Sequence, residues 1–193
     1  MSPPPTVQGN VGRLEDIPWA AALLADENFV FAPTTTRIPK DSGEDSFMAE
    51  TLNTERTVRS WVTQHTLPQD NTRFPITEAR AFIDVGDGLN GYPATMHGGM
   101  IAALMDELTG LILNVNNDHR NRSSGVNNPL TSMTAYLNVS YKKPLPVPGV
   151  ILGTSKIEKV DGRKFYLRAT LEDGNGQVYA VGEALFIELK SKI

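Results

Sequence analysis

The sequence predicts an α+β domain in which a curved antiparallel sheet wraps around one long helix. Three observations predict it. The segment Gly98 to Val115 is apolar around nearly its whole circumference, interrupted by the charges of Asp106 and Glu107, and a helix that is hydrophobic all round is a buried one. Four strand-like runs follow it and two precede it. A single long apolar helix needs a sheet to cover it, which gives a helix lying against an antiparallel meander.

In chain order, residues 1–12 read as unstructured. Ile17 to Glu27 reads as a short helix, with Ile17, Ala20, Ala21 and Leu24 on one stripe, Asp16 as its cap and Pro18 in its first turn. Pro33 to Asp45 is a loop. Thr57 to Thr66 and Ala79 to Val85 read as strands, and Gly86 to Pro93 as a turn-rich loop. The helix opens at His97-Gly98-Gly99 and runs to about Asn114, and Asn116 to Pro129 reads as a polar loop. The closing strands are Ser132 to Lys143, Val150 to Lys159, Lys164 to Glu172 and Gln177 to Leu189. Pro144, Pro146, Pro148 and Gly149 separate the first pair; Asp161-Gly162 and Asp173-Gly174-Asn175-Gly176 mark the later turns. Alternation in the first of these strands puts Ala135, Leu137, Val139 and Tyr141 on one face, and Thr134, Tyr136, Asn138 and Ser140 on the other.

Composition narrows the function. The chain of 193 residues has no cysteine, which removes disulfides, a thiolate nucleophile and Cys-ligated metal. The net charge of −4 does not favour nucleic acid as a partner. The charge is uneven: Thr131 to Ile193 holds nine Lys/Arg against six Asp/Glu, a locally basic stretch suited to one anionic ligand or to ordinary solvated strand faces. The apolar run is short and charged for a membrane span. Met1 to Gln8 has three prolines in a row and no basic-then-apolar pattern, so no secretory leader is expected. An intracellular location, cytoplasmic or mitochondrial, is the expectation. His65 and His119 have no partners at metal-ligand spacing, and neither a Gly-x-Ser-x-Gly elbow nor a phosphate-binding Walker loop occurs. No metal and no cofactor are expected.

Two features carry chemistry. Asp106 is a carboxylate in an apolar helix, which is costly unless it is paired, used, or turned to a wet edge. His97-Gly98-Gly99 opens the same helix. Its glycines admit close approach of a ligand, and unpaired N–H groups at a helix start attract negative charge. Such a turn can serve as an oxyanion hole, or simply as a tight loop-to-helix turn. Gly98 and Asp106 lie eight residues apart, roughly 12 Å along a helix. One scissile carbonyl cannot touch both on the same helix, so joint action requires two antiparallel copies of it, one from each chain of a dimer.

His97-Gly98-Gly99 with Asp106 nine residues after the histidine resembles the hotdog-fold thioesterase superfamily, in its PaaI-like branch. The stretches Met133 to Pro146 and Lys159 to Tyr166 extend the resemblance, which covers about Ile83 to Leu189. It implies an α+β hotdog fold over 76–193, with 1–75 as an N-terminal extension, and hydrolysis of an acyl-CoA or related thioester. By that resemblance Asp106 is the catalytic carboxylate, His97, Gly98 and Gly99 form the oxyanion turn, and Thr134 helps hold the attacking water. Lys142, Arg163 and Lys164 would contact CoA, and Ser140 shares strand parity with Thr134 and Lys142 along the ligand path. Many relatives carry an asparagine six residues before the histidine. Here that place is Gly91, and Asn90, one earlier, is the candidate contact to the thioester carbonyl. The resemblance implies acyl-CoA as partner and a homodimer, with a tetramer as a dimer of dimers. The other readings are a hotdog hydratase or dehydratase, and a non-enzymatic acyl- or protein-binding regulator.

Overall fold

The computed structural model describes residues 11–69, 72–125 and 131–189. Most of the stretch expected to lack structure, residues 1–10, lies outside that range, whereas 11–15 are helical. The chain then forms α1 (Pro18–Leu24), β1 (Phe29–Ala32), β2 (Val58–Thr66), β3 (Glu78–Val85), the short β4 (Asn90–Tyr92) and β5 (Thr95–Met96), α2 (Gly98–Ser124), β6 (Ser132–Tyr141), β7 (Gly149–Asp161), β8 (Lys164–Glu172) and β9 (Val178–Glu188). Seven strands make one antiparallel sheet in the order β1-β2-β3-β7-β8-β9-β6. The expected helix-and-sheet architecture is present. The two strands before residue 76 pair into the same sheet as those after it.

Helix α2 packs on β3, β6, β7, β8 and β9. Leu104, Met105, Leu108 and Ile112 are wholly buried on its sheet-facing side, with Phe165, Leu167 and Leu171 beneath them. Close packing needs small residues on the strands. A side chain at Gly153 would come within 2.6 Å of Leu108, and one at Gly182 within 3.0 Å of Met105. By length and hydropathy this helix could cross a membrane, but more than half of its apolar stretch is buried inside the protein.

Two expectations about α2 need correcting. It runs ten residues past Asn114, through what the polarity of the sequence suggested was a loop. Asn116 explains the extension. Its buried side-chain amide donates to the carbonyls of Ile76 (2.9 Å) and Ile112 (2.8 Å), and its oxygen accepts from the Ile76 N–H (3.0 Å). A polar residue here does what an apolar one could not, because it satisfies the buried backbone of a neighbouring loop. The helix ends at Gly125, whose φ of 66° is the left-handed conformation of a C-terminal cap. The helix is also not covered all round: Asp106 and Asn114 are exposed, and Ala102, Ala103, Glu107 and Gly110 are only half-buried.

The opposite face of the sheet is covered by the N-terminal region. Leu14, Ala20 and Val11 pack on Val62, Phe82 and Leu152, and Trp19 stacks on Phe82 at 6.0 Å. Buried Arg80 locks this layer. Its guanidinium lies 3.5 Å from the centre of the Phe29 ring, donates to Gln64 Oε1 (3.0 Å) and to the Leu23 carbonyl, and pairs with Asp26 at 3.6 Å.

Candidate active site

His97 caps α2 through its ring. Nδ1 accepts the Gly99 N–H at 3.0 Å, in the role a serine or aspartate side chain usually fills. The Met100 and Ile101 N–H groups both bond to the His97 carbonyl. The Gly98 N–H is left as the helix-start donor without an acceptor among the described residues. Tyr141, at the end of β6, donates its hydroxyl to the Gly98 carbonyl at 3.0 Å.

The hairpin in front of this turn explains the glycine at 91. A side chain there would meet the Cα of His97 at 2.8 Å, so an asparagine does not fit without moving the turn. Asn90 begins β4 opposite Met96 and is exposed. The pairing slips by one residue between Asn90 and Tyr92, which leaves Gly91 without a partner of its own on β5.

Asp106 sits two turns further along α2, on its open side. The hydroxyl of Thr134 donates to its Oδ1 at 2.9 Å. The strand parity that grouped Thr134 with Ser140 fails at this point. β6 carries a bulge between Thr134 and Tyr136: Thr134 lies opposite Phe186, Tyr136 opposite Leu185 and Leu137 opposite Ala184. The extra residue, Ala135, reverses the alternation. Thr134 therefore joins Leu137, Val139 and Tyr141 on the helix side, while Ser140 stays with Tyr136 and Asn138 on the other side. Ser140 does not share a face with Thr134.

Asp106 lines a cleft of about 340 Å³ that follows the helix past Gly110 and Leu113. Its far wall is the segment around Thr36 and Asp45. Glu107, next to Asp106, accepts a hydrogen bond from the Thr36 hydroxyl. Burial raises the Glu107 carboxyl above the usual carboxylate range, and the charges of Asp45 and Asp106 add to the shift against the opposing pull of Thr36 and Arg37. A larger cleft of about 480 Å³ lies near the far end of α2, between Pro68 and His119. It holds no carboxylate–hydroxyl pair.

The residues expected to act together fall into two groups within one chain. Gly98, Tyr141 and Lys142 lie at one end of the sheet, where Tyr141 pairs with Ala180 and the Lys142 N–H bonds to the Tyr179 carbonyl. Asp106, Thr134, Arg163 and Lys164 lie at the other. Lys164 and Met133 both pair with Ile187, and Arg163 donates to the Glu188 carbonyl at 3.1 Å. From Ala180 to Ile187 along β9 is about 23 Å at ~3.3 Å per residue. Lys142 is therefore not part of one cluster with Arg163 and Lys164 inside a single chain. Among the described residues no group of three or more His, Asp or Glu is placed to hold a metal.

Residues 94–180 match the family model described as the thioesterase superfamily. This segment belongs to that superfamily. The chain is 36% identical over 102 residues to mouse acyl-coenzyme A thioesterase THEM4, an alignment covering 52% of this chain and 39% of the mouse protein. It thus spans about two-fifths of that relative's length. Among solved structures, zebrafish thioesterase superfamily member 2 superimposes with a TM-score of 0.54 at 16% identity, covering 78% of this chain and 89% of that one. A hypothetical thioesterase from Streptococcus pneumoniae, crystallised with coenzyme A, gives 0.53 at 12% identity, covering 70% and 91%. The fold is the hotdog fold. The thioesterase-superfamily segment contains His97, Gly98, Asp106, Thr134, Lys142, Arg163 and Lys164; Asn90 and Thr36 lie before it.

Sequence reasoning missed two contributors to this candidate site. In the sequence Tyr141 reads only as one residue of a strand face, yet it bonds to the helix start. Glu107 reads in the sequence only as an interruption of the apolar run, yet it is tied to Thr36, 71 positions away. No local pattern announces a contact of that range.

Proposed function

We propose that this protein hydrolyses acyl thioesters, with acyl-CoA as the substrate class. The observation that carries the reading is the hydrogen bond from Thr134 to Asp106, whose carboxylate lines the cleft. With Oδ1 held by Thr134, Oδ2 of Asp106 is oriented to accept a proton from water. The water oxygen attacks the thioester carbonyl carbon, and charge builds on the carbonyl oxygen. The C–S bond then breaks; the sulfur takes a proton, and the products are a carboxylic acid and a free thiol. The Gly98 N–H, oriented by the helix start, is the donor for the developing oxyanion; the Gly99 N–H is already engaged by His97. Arg163 and Lys164 are suited to the phosphates of CoA, a ligand present in the pneumococcal thioesterase structure.

The working unit is a dimer. Strand β6 is the sheet edge beyond β9. Its Met133, Tyr136 and Tyr141 are 62%, 46% and 54% exposed, and a long open edge of this kind pairs readily with another strand. Antiparallel pairing of two copies about the middle of β6 brings the Asp106–Thr134 end of one chain against the Gly98–Tyr141–Lys142 end of the other. Each site then draws on both chains. The test is release of free thiol from a panel of acyl-CoAs. Turnover supports hydrolysis; hydration of an enoyl-CoA, or binding with no thiol released, rejects it.

A further inference from the structure

Residues 33–45 lie before the superfamily match, yet they reach across the open face of α2 at the position of Asp106. Thr36 donates its hydroxyl to Glu107, adjacent in sequence to Asp106. The same cleft is lined by Thr36 and Asp45 from this segment and by Asp106, Glu107, Gly110 and Leu113 from the helix. The segment is anchored on both sides of that contact: before it, the Thr34 and Thr63 hydroxyls hydrogen-bond to each other at 2.7 Å. Arg37 donates to the carbonyls of Met48 (2.7 Å), Leu52 (3.2 Å) and Val58 (2.8 Å), and Lys40 pairs with Asp45 and, at 3.6 Å, with Glu44.

We propose that this segment is the specificity wall of the acyl pocket, and that Thr36 and Glu107 together determine which acyl groups reach Asp106. The inference rests on the hydrolysis reading above. An acyl group whose carbonyl is at Asp106 extends along the helix toward Leu113, about 10 Å on at 1.5 Å per residue. One flank of that path is Gly110, Leu113 and Phe186. The other is the Glu107 carboxyl, half-buried and bonded to the Thr36 hydroxyl, so that it keeps only part of its water. Methylenes laid against it remove the remainder, which costs free energy for a polar group with a single hydroxyl partner. The wall therefore favours short acyl groups over long alkyl chains.

The test measures the ratio of kcat/KM for a dodecanoyl-CoA over a butanoyl-CoA in the full chain. Glu107→Leu, which gives the wall an apolar surface, should raise that ratio at least tenfold. Thr36→Ala, which opens the wall, should raise it in the same direction. Glu107→Gln, similar in volume and still able to accept from Thr36, should keep the wild-type ratio. Asn116→Ala serves as the structural control: its side chain is bonded to Ile76 on the buried side of α2 and does not line the cleft, so it weakens the fold and should leave the ratio where it is. A ratio unmoved in either Glu107→Leu or Thr36→Ala, with wild type active on the panel, overturns the wall. A wild-type protein that cleaves neither thioester rejects the hydrolysis reading, and the wall falls with it.

Discussion

Thr134 and Asp106 are 28 positions apart in the chain and meet through a 2.9 Å hydrogen bond that a β-bulge makes possible. Without the extra residue at Ala135, Thr134 would face away from α2. The bond gives each partner a distinct expected role. Asp106→Asn should lower kcat by roughly 10²–10⁴-fold, the usual loss for a general base, with an unchanged circular dichroism spectrum. Thr134→Ala should cost less, and Thr134→Ser should recover much of the loss because it restores the hydroxyl. Wild-type turnover in Asp106→Asn would remove Asp106 from the chemistry.

The division of the site between the two ends of the sheet can be tested by complementation. Gly98→Pro removes the N–H donor and Asp106→Asn removes the base, so each homodimer should be inactive. A mixed dimer should regain one site, built from the intact Gly98 of one chain and the intact Asp106 of the other. Verified mixed dimers with no recovered activity, or full activity in isolated monomers, would contradict a shared site.

Arg163 and Lys164 stand at the β7–β8 turn, remote from the carbonyl under attack. Changing both to alanine should raise KM more than it lowers kcat, because contacts far from the reacting atoms act alike on ground and transition states. Wild-type KM should also climb with salt as the phosphate contacts are screened. A KM flat across a salt series would argue against CoA phosphates at this turn.

Burial raises the Glu107 carboxyl in the folded protein. The unfolded chain then ionises first as pH rises. Stability is therefore lost between the ordinary glutamate pKa and the raised folded one, and is fully present only below both. Glu107→Gln keeps the shape and carries no charge. Its melting temperature relative to wild type should be higher at pH 7.5 than at pH 4, measured in the same buffer ionic strength. An advantage independent of pH would mean that Glu107 is not desolvated in solution.

The covering of the sheet's second face by residues 11–32 also bears on assembly. Val11, Leu14 and Ala20 occupy the apolar surface formed by Val62, Phe82 and Leu152, so a second copy has no bare sheet face to pack on there. Among the described residues, the β6 edge and the Asp106 side of α2 stay open.

By itself the sequence determined the elements whose signal is local. The apolar run after His97, the alternation and turn chemistry of β6 to β9, and the spacing of His97, Gly98 and Asp106 are all readable within a few residues of one another. That spacing also carried the dimer argument, since 1.5 Å per residue holds for any α-helix. Tertiary structure decided what depends on partners distant in the chain. Asn116 extends α2 because it meets the backbone of Ile76; polarity alone reads as a loop. The bulge at Ala135 sends Thr134 to Asp106 and leaves Ser140 behind, because one inserted residue inverts strand parity from that point on. The register of β6, β8 and β9 parts Lys142 from Arg163 and Lys164. Thr36 meets Glu107 only because β1 and β2 add to the same sheet and carry their connection over the helix. Periodicity reports which way a side chain points relative to its neighbours; which atoms it finds there is fixed by pairing register and packing, and those are properties of the whole chain.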